Sequence, residues 1–340
     1  MKVAQVTAPF EPVPPVGYGG VERVVAALVE GCVAAGDSVT LYATGDSVTS
    51  ARLVAAYPAP VPVYDWYSEL YGCVGAWTDP AGVDLVHNHS RAGFLFAAVA
   101  AASSGVPTVH TLHGHLESRQ MSRIYRRFAD LSYVSVSLAQ QRLIPELSYV
   151  ANIYNGVDVD TLRPDPARSR DYLLSIGVVA PRKGVHTAVR VAVESGSRLV
   201  VVGRVPDRNR AYFDSEVAPF VDGDLVRFVG EVGGADRPAL FQGARALLCP
   251  LEWEEPFGLV MAEALACGVP VIAFDRGSAA EVVSHGETGF VVSTPDEMVA
   301  ALADLPKIDP AACRDRAVAH FGSARMVSEY RALYATLASG

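Results

Sequence analysis

Short apolar runs of strand type alternate with amphipathic helical runs along the whole chain, and that alternation restricts the fold more than any other feature. It is the pattern of βαβ units feeding parallel sheets. In the first half it reads "KVAQVTA", a helix "GGVERVVAALVEGCVAAG" closed by Gly36, then "SVTLYAT", "VDLVHNHS", a helix "AGFLFAAVAAASSG", "PTVHTLHG" and "LSYVSVS". The second half repeats the style with "YLLSIGVVA", "RLVVVGRV", "LVRFVGEV", "RALLCPL", "VPVIAFD" and "GFVVST", separated by helical runs such as "GVHTAVRVAVESG". The expectation is an α/β protein of two Rossmann-like, doubly wound parallel-sheet domains facing a central cleft, with ligands at the carboxyl ends of the strands. A chain of 340 residues suits two such cores. Between the halves, "GVDVDTLRPDPARSR" has two prolines, several charges and no period, and reads as a linker. The domains are therefore expected at residues 1–163 and 164–320. A closing helix at 321–340 has Met326, Tyr330, Leu333 and Tyr334 at helical spacing, as if packing back on the first domain.

Composition excludes several classes. A net charge of -9 leaves no positive surplus for a general nucleic-acid binder. The five cysteines are scattered and form no C-x-x-C pair, which fits a reduced, cytoplasmic interior better than a disulfide framework or a zinc knuckle. The N-terminus lacks the apolar length of a signal peptide, and the longest charge-free run is broken by "SSGVP", so no membrane span is expected. Of 28 basic residues only Lys2, Lys183 and Lys307 are lysines, the bias of a GC-rich genome such as an actinomycete's. A lysine kept against that bias needs a reason.

The stretch "EEPFGLVMAEALACGVPVI" concentrates chemistry. Pro256 suits the first position of a helix, which would put Glu255 at the helix start and leave the amides of Phe257, Gly258 and Leu259 without intrahelical partners. Such an end carries about half a positive charge and holds oxygen-rich ligands. Glu263 follows on the same helix, so the two carboxylates would grip two parts of one ligand. Solvated carboxylates on an ordinary amphipathic helix are the plain alternative. In "SIGVVAPRKGVHTAV" a strand ends at Gly177, and Arg182 and Lys183 stand where the next helix begins, a pairing suited to a diphosphate. "GYGG" follows the first strand and opens the first helix, with Glu22 in its first turn. It is not G-x-G-x-x-G, so the dinucleotide fingerprint is absent. The pairs "HNH" (His87, His89) and "HGH" (His113, His115) lack a carboxylate or cysteine at ligand spacing, and no metal is expected. "ESRQMSRIYRRF" carries Arg119, Arg123, Arg126 and Arg127, read as a solvated or acceptor-lining helix rather than a membrane-docking one.

Taken together, "EPFGLVMAEALACGVPVIA", "PRKGV", "YNGVDVDTLRP" and "GYGGVE" resemble the retaining glycosyltransferases of family 4, which have the two-domain GT-B fold. The resemblance covers nearly the whole chain, including "GETGFVV" and "EYRALY". It implies that Glu255 contacts the transferred sugar, that Glu263 binds the ribose hydroxyls of the nucleotide, and that Lys183 holds the diphosphate without a metal cofactor. It also implies that His113 lies beside the donor sugar and its anomeric carbon. One position departs: many members carry an arginine where this chain has Val178, and Arg182 is expected to supply the missing cation. The first domain would close over the donor through Gly19, Gly20 and Glu22, with Gly20 near the diphosphate and Gly19 and Glu22 on the acceptor side. The implied reaction moves a sugar from a nucleotide diphosphate donor, UDP among the candidates, to a hydroxyl of a small soluble acceptor. The pattern also resembles sugar-transfer enzymes of antibiotic pathways of the avilamycin type. A nucleotide-sugar 2-epimerase and a non-catalytic nucleotide-sugar binding protein are the rival readings.

Overall fold

The computed structural model describes residues 1–17, 19–61, 66–78, 82–90, 94–114, 116 and 119–339, with the backbone alone at residues 66, 94–96 and 235. The chain forms two compact units: Met1–Gly156 together with Ser323–Gly340, and Val157–Gly322.

The first unit is built on seven parallel strands: β1 (Lys2–Val6), β2 (Ser38–Tyr42), β3 (Arg52–Val54), β4 (Leu85–Asn88), β5 (Thr108–Leu112), β6 (Ser132–Ser135) and β7 (Tyr149–Asn152). Their order is β3-β2-β1-β4-β5-β6-β7. In register, Val3 lies between Val39 and Leu85. Consecutive residues of β1 and β4 are buried, so both faces of the sheet are covered, which is why these strands read as unbroken apolar runs rather than alternating ones. Helix Gly20–Ala34 buries Val24, Val25, Leu28, Val29 and Cys32, a single stripe at helical spacing. The last helix, Ser323–Ser339, buries Met326, Val327, Tyr330 and Tyr334 within this unit. Gly31 makes the approach of these two helices possible, because a Cβ there would lie 2.4 Å from a methyl of Val327. Asp37 ties the ends together, accepting from Arg331 at 2.6 Å and from the N-terminal amine at 2.9 Å.

The second unit has six parallel strands: β8 (Tyr172–Ile176), β9 (Leu199–Val202), β10 (Val226–Phe228), β11 (Ala244–Cys249), β12 (Val271–Phe274) and β13 (Gly289–Val292). The order β10-β9-β8-β11-β12-β13 repeats the winding of the first unit. Each sheet reverses its strand order once, between β1 and β4 and between β8 and β11. These are the points where open α/β sheets bind ligands.

The stretch expected as a linker is instead packed into the second unit. Val157 bonds to Phe321, the Leu162 carbonyl accepts from Arg314 at 2.6 Å, and Arg170 donates to the carbonyls of Gly268 and Cys267. Asp158 receives the amides of Asp160 and Thr161 and the Thr161 hydroxyl, which turns the chain into that unit. The division therefore falls at Gly156 and Gly322, where the chain crosses between units, and not at 163 and 320.

Candidate active site

In the second unit the site residues come from the loops after β8 and β11. After Gly177 the chain runs beside the end of β9, with Val179 donating to the Arg204 carbonyl at 3.0 Å. Val178 is buried, so the loop offers no cation at that position. Pro181–Lys183 then makes one 3-10 turn that ends at Gly184, whose φ is 67°. A Cβ on Gly184 would sit 1.8 Å from the Pro250 carbonyl oxygen, so only glycine lets this turn seat against the end of β11. The seating brings Arg182 and Lys183 onto the following loop, where the Glu252 amide donates to the Arg182 carbonyl at 2.9 Å. Trp253 lies beneath both cations, 4.8 Å from the Lys183 ammonium and 5.2 Å from the Arg182 guanidinium to its ring centroid. Lys183 donates to the Glu255 carboxylate. Their side chains are 20% and 11% exposed, so the pair is sheltered yet reachable. Arg182 forms no ion pair among the described residues and is exposed.

Glu255 is held by backbone contacts from the loop after β12. The Ser278 amide donates to its carbonyl at 3.0 Å, and a Cβ on Gly277 would fall 2.2 Å from that same oxygen. The neighbouring Glu254 accepts from the Gly277 amide at 2.7 Å. The helix itself begins later than the sequence implies, at Leu259, with Gly258 as its cap at φ 75°. Pro256 does not start it, because Phe257 is drawn into the core. Its ring packs edge to face on Phe321 at 5.6 Å, and its carbonyl accepts from the Ser278 hydroxyl at 2.7 Å. Glu255 is thus a loop residue, and Phe257 offers a ligand its backbone, not its ring. Glu263 lies within the helix, 5% exposed, gripped by Arg237 through a two-pronged fork of 3.1 and 2.5 Å. The fork uses two of the roughly four lone-pair positions of a carboxylate, which leaves the others for a hydroxyl.

In the first unit, Gly19 and Gly20 follow the loop after β1 and open the first helix, with Glu22 in its first turn. Gly19 packs on Pro15, where a Cβ would come within 2.5 Å, and Arg23 donates to the Gly17 carbonyl at 2.5 Å. His113 follows β5. Its Nε2 lies 2.9 Å from Nδ1 of His89, whose Nε2 is 2.8 Å from the Gln5 side-chain oxygen. His87 is held by the Tyr334 and Thr111 hydroxyls at 2.6 and 2.7 Å. Burial pushes His110 down to about 3 and His113 to about 4, and holds His87 and His89 well below the usual imidazole range. All four are neutral at pH 7. Both nitrogens of His87 and His89 and one of His113 are engaged by one another and by the core, and no group of three His, Cys, Asp or Glu among the described residues is arranged to hold a metal. His115 lies outside the described residues.

The basic helix Arg119–Arg127 buries Tyr125 and packs Met121 and Ile124 on a core that includes Tyr133, Ile144 and Leu147. Its apolar face is used internally and its arginines face outward. No described helix is long and apolar enough to cross a membrane.

The structure therefore groups Arg182, Lys183 and Glu255 at one switch point, pairs Glu263 with Arg237 on the same unit, and puts Gly19, Gly20 and Glu22 together in the other. Trp253, Arg237 and Gln5 were not marked by the sequence pattern, and His89 was marked only as one of a histidine pair and not as the partner of His113. The tryptophan, one of three in the chain and beside the paired glutamates, could have been found; nothing marked Arg237.

Two family models match in tandem. Residues 18–161 match Glycosyltransferase Family 4, and residues 160–316 match Glycosyl transferases group 1. The chain belongs to the group 1 and family 4 glycosyltransferases and has their GT-B fold. It is 35% identical over 191 residues to a GDP-mannose-dependent alpha-(1-6)-phosphatidylinositol monomannoside mannosyltransferase of Mycobacterium tuberculosis, covering 48% of this chain and 47% of that one. The chain thus spans about half the length of that curated relative. Among solved structures, AviGT4, a glycosyltransferase involved in Avilamycin A biosynthesis, is 28% identical with a TM-score of 0.72, over 100% of this chain and 98% of the other. Sucrose-phosphate synthase from Thermosynechococcus elongatus gives 0.82 at 22% identity, over 99% of both chains, a likeness of fold.

Proposed function

We propose that the protein is a retaining, metal-independent glycosyltransferase that moves a sugar from a nucleotide diphosphate sugar, with UDP one candidate carrier, to a hydroxyl of a small soluble acceptor. The observation that carries this reading is the Lys183–Glu255 pair seated over Trp253 at the switch point between β8 and β11. An ammonium has three donors and Glu255 takes one, so Lys183 keeps two for phosphate oxygens while it steers the carboxylate. Arg182 supplies the second charge that Val178 does not, and the two cations take the part a metal plays elsewhere. Glu263, oriented by Arg237, accepts from the ribose hydroxyls. Glu255, with the backbone at Phe257, Gly258 and Leu259, holds the sugar. Gly20 approaches the diphosphate, Gly19 and Glu22 serve the acceptor, and His113 meets the sugar.

Glu255 is committed to Lys183, and no other carboxylate is assigned as a nucleophile, so the reaction runs on one face. The bond from the anomeric carbon to the diphosphate oxygen breaks, and the acceptor oxygen bonds to that carbon from the same side. The acceptor proton passes to the departing diphosphate oxygen. The protein contributes position and charge stabilisation. The relative's mannosyl transfer and AviGT4's place in avilamycin A biosynthesis support a sugar-transfer role, and we propose the latter setting, an antibiotic or other oligosaccharide pathway in a reduced cytoplasm.

Product analysis tests this. Nucleotide sugars incubated with a panel of soluble hydroxyl acceptors should release nucleoside diphosphate only when an acceptor is present, with the donor's anomeric configuration kept. An epimerised sugar formed without acceptor would replace the transfer reading with an epimerase.

A further inference from the structure

Three histidines of the first unit, His87, His89 and His113, belong to one hydrogen-bond chain that ends at His113 and starts in the C-terminal helix. Gln5 on β1 stands at its centre and is fully buried. Its side-chain nitrogen donates to the Tyr334 hydroxyl at 3.0 Å, and its oxygen faces Nε2 of His89 at 2.8 Å. The Tyr334 hydroxyl reaches Nδ1 of His87 at 2.6 Å, and Nε2 of His87 reaches Thr111 at 2.7 Å. Thr111 in turn bonds to Tyr330 at 2.9 Å.

The chemistry of these atoms gives the chain a direction. An amide oxygen only accepts, so the proton of the neutral His89 ring is on Nε2 and its Nδ1 carries a lone pair. That lone pair accepts from His113, whose proton is therefore on Nε2, leaving Nδ1 of His113 as an acceptor. The Gln5 oxygen is aimed at His89 because the other end of the amide is engaged by Tyr334, and the Tyr334 proton is taken by His87. We infer that Tyr334, Gln5 and His89 are positioning residues that hold His113 in the tautomer with Nδ1 free, ready to accept from a hydroxyl of the sugar substrate. This rests on the sugar-transfer role given to His113 above. It adds that the C-terminal helix sets the state of that residue, through hydrogen bonds and not packing alone.

The test is the ring-nitrogen spectrum of histidine-labelled protein at pH 7, with no substrate added. His113 of the wild type should show one tautomer, protonated at Nε2. Tyr334→Phe keeps the ring but frees the Gln5 amide to turn, so both tautomers should appear in a native-like spectrum. If half of the molecules hold the wrong form, apparent donor affinity should fall about twofold. Should Tyr334→Phe not fold, Gln5→Met removes the amide at similar volume and should mix the tautomers equally. A wild-type His113 protonated at Nδ1, or a single tautomer surviving in both variants, would overturn the inference. Because the spectrum needs no turnover, its failure is separate from failure of the transfer reading, which shows as absent product in the wild type.

Discussion

Acidification from pH 7 to pH 5 should strongly destabilise the first unit. Four histidines among its described residues, three buried and His113 half-buried, are neutral in the fold and, with desolvation as the main cause in each, have pKa values depressed to about 4 for His113, about 3 for His110 and lower than usual for His87 and His89. In the unfolded chain an imidazole titrates near 6.5. Below that pH the unfolded state binds protons that the folded state refuses, so stability falls as pH drops and recovers as it rises. Each such group removes about 1.4 kcal/mol per pH unit from about 6.5 down to its folded pKa, so His110 and His113 together remove about 4 kcal/mol by pH 5, and His87 and His89 add to that in the same direction. A domain of ordinary stability, about 5–15 kcal/mol, loses much of it over that window. Thermal unfolding followed from pH 7.5 to 5 should show a transition that moves steeply downward below about 6.5. A melting temperature independent of pH over that range would mean that the histidines are solvated, and the relay with them.

The second large effect lies in Glu255. Glu255→Gln keeps the shape of the side chain, one acceptor for Lys183, and the backbone contacts from Gly277 and Ser278. It removes the negative charge that would face the sugar as its anomeric carbon becomes electron-poor. Loss of one such preorganised group costs about 10²–10³ in turnover in other enzymes. The expectation is a kcat lower by about a hundredfold or more with donor KM nearly unchanged, because the diphosphate cations and the Glu263 contact remain. Wild-type turnover in this variant would remove Glu255 from the mechanism.

The core strands were legible in the sequence because both faces are buried and their apolar runs are unbroken. All six strands of the second unit and five of the first could be read, although the edge strands β10 and β13 are only partly buried. The two missed, β3 and β7, are the edges of their sheet, short and mostly half-exposed, so no apolar run marks them. Pro256 misled for a different reason: its local signal for a helix start was overridden by the burial of Phe257 against Phe321, a contact across 64 residues of sequence. The carboxylates and Lys183 could be found as residue types in a pattern. Their pairing could not, since a sequence does not show that Lys183 reaches Glu255 or that Arg237 forks onto Glu263. The histidine relay is the extreme case. It joins Gln5, His89, His113 and Tyr334 from the two ends and the middle of the chain, and only the return of the last helix to the first unit assembles it.

The central claim is that the switch point between β8 and β11 binds a nucleotide diphosphate through protein cations. Titration calorimetry of UDP, GDP, ADP and TDP, with and without EDTA, on the wild type and on Lys183→Ala tests it most directly. One nucleotide should bind, EDTA should leave its affinity unchanged, and the variant should lose it. Binding that needs a divalent metal, survives in Lys183→Ala, or fails for every nucleotide would contradict it.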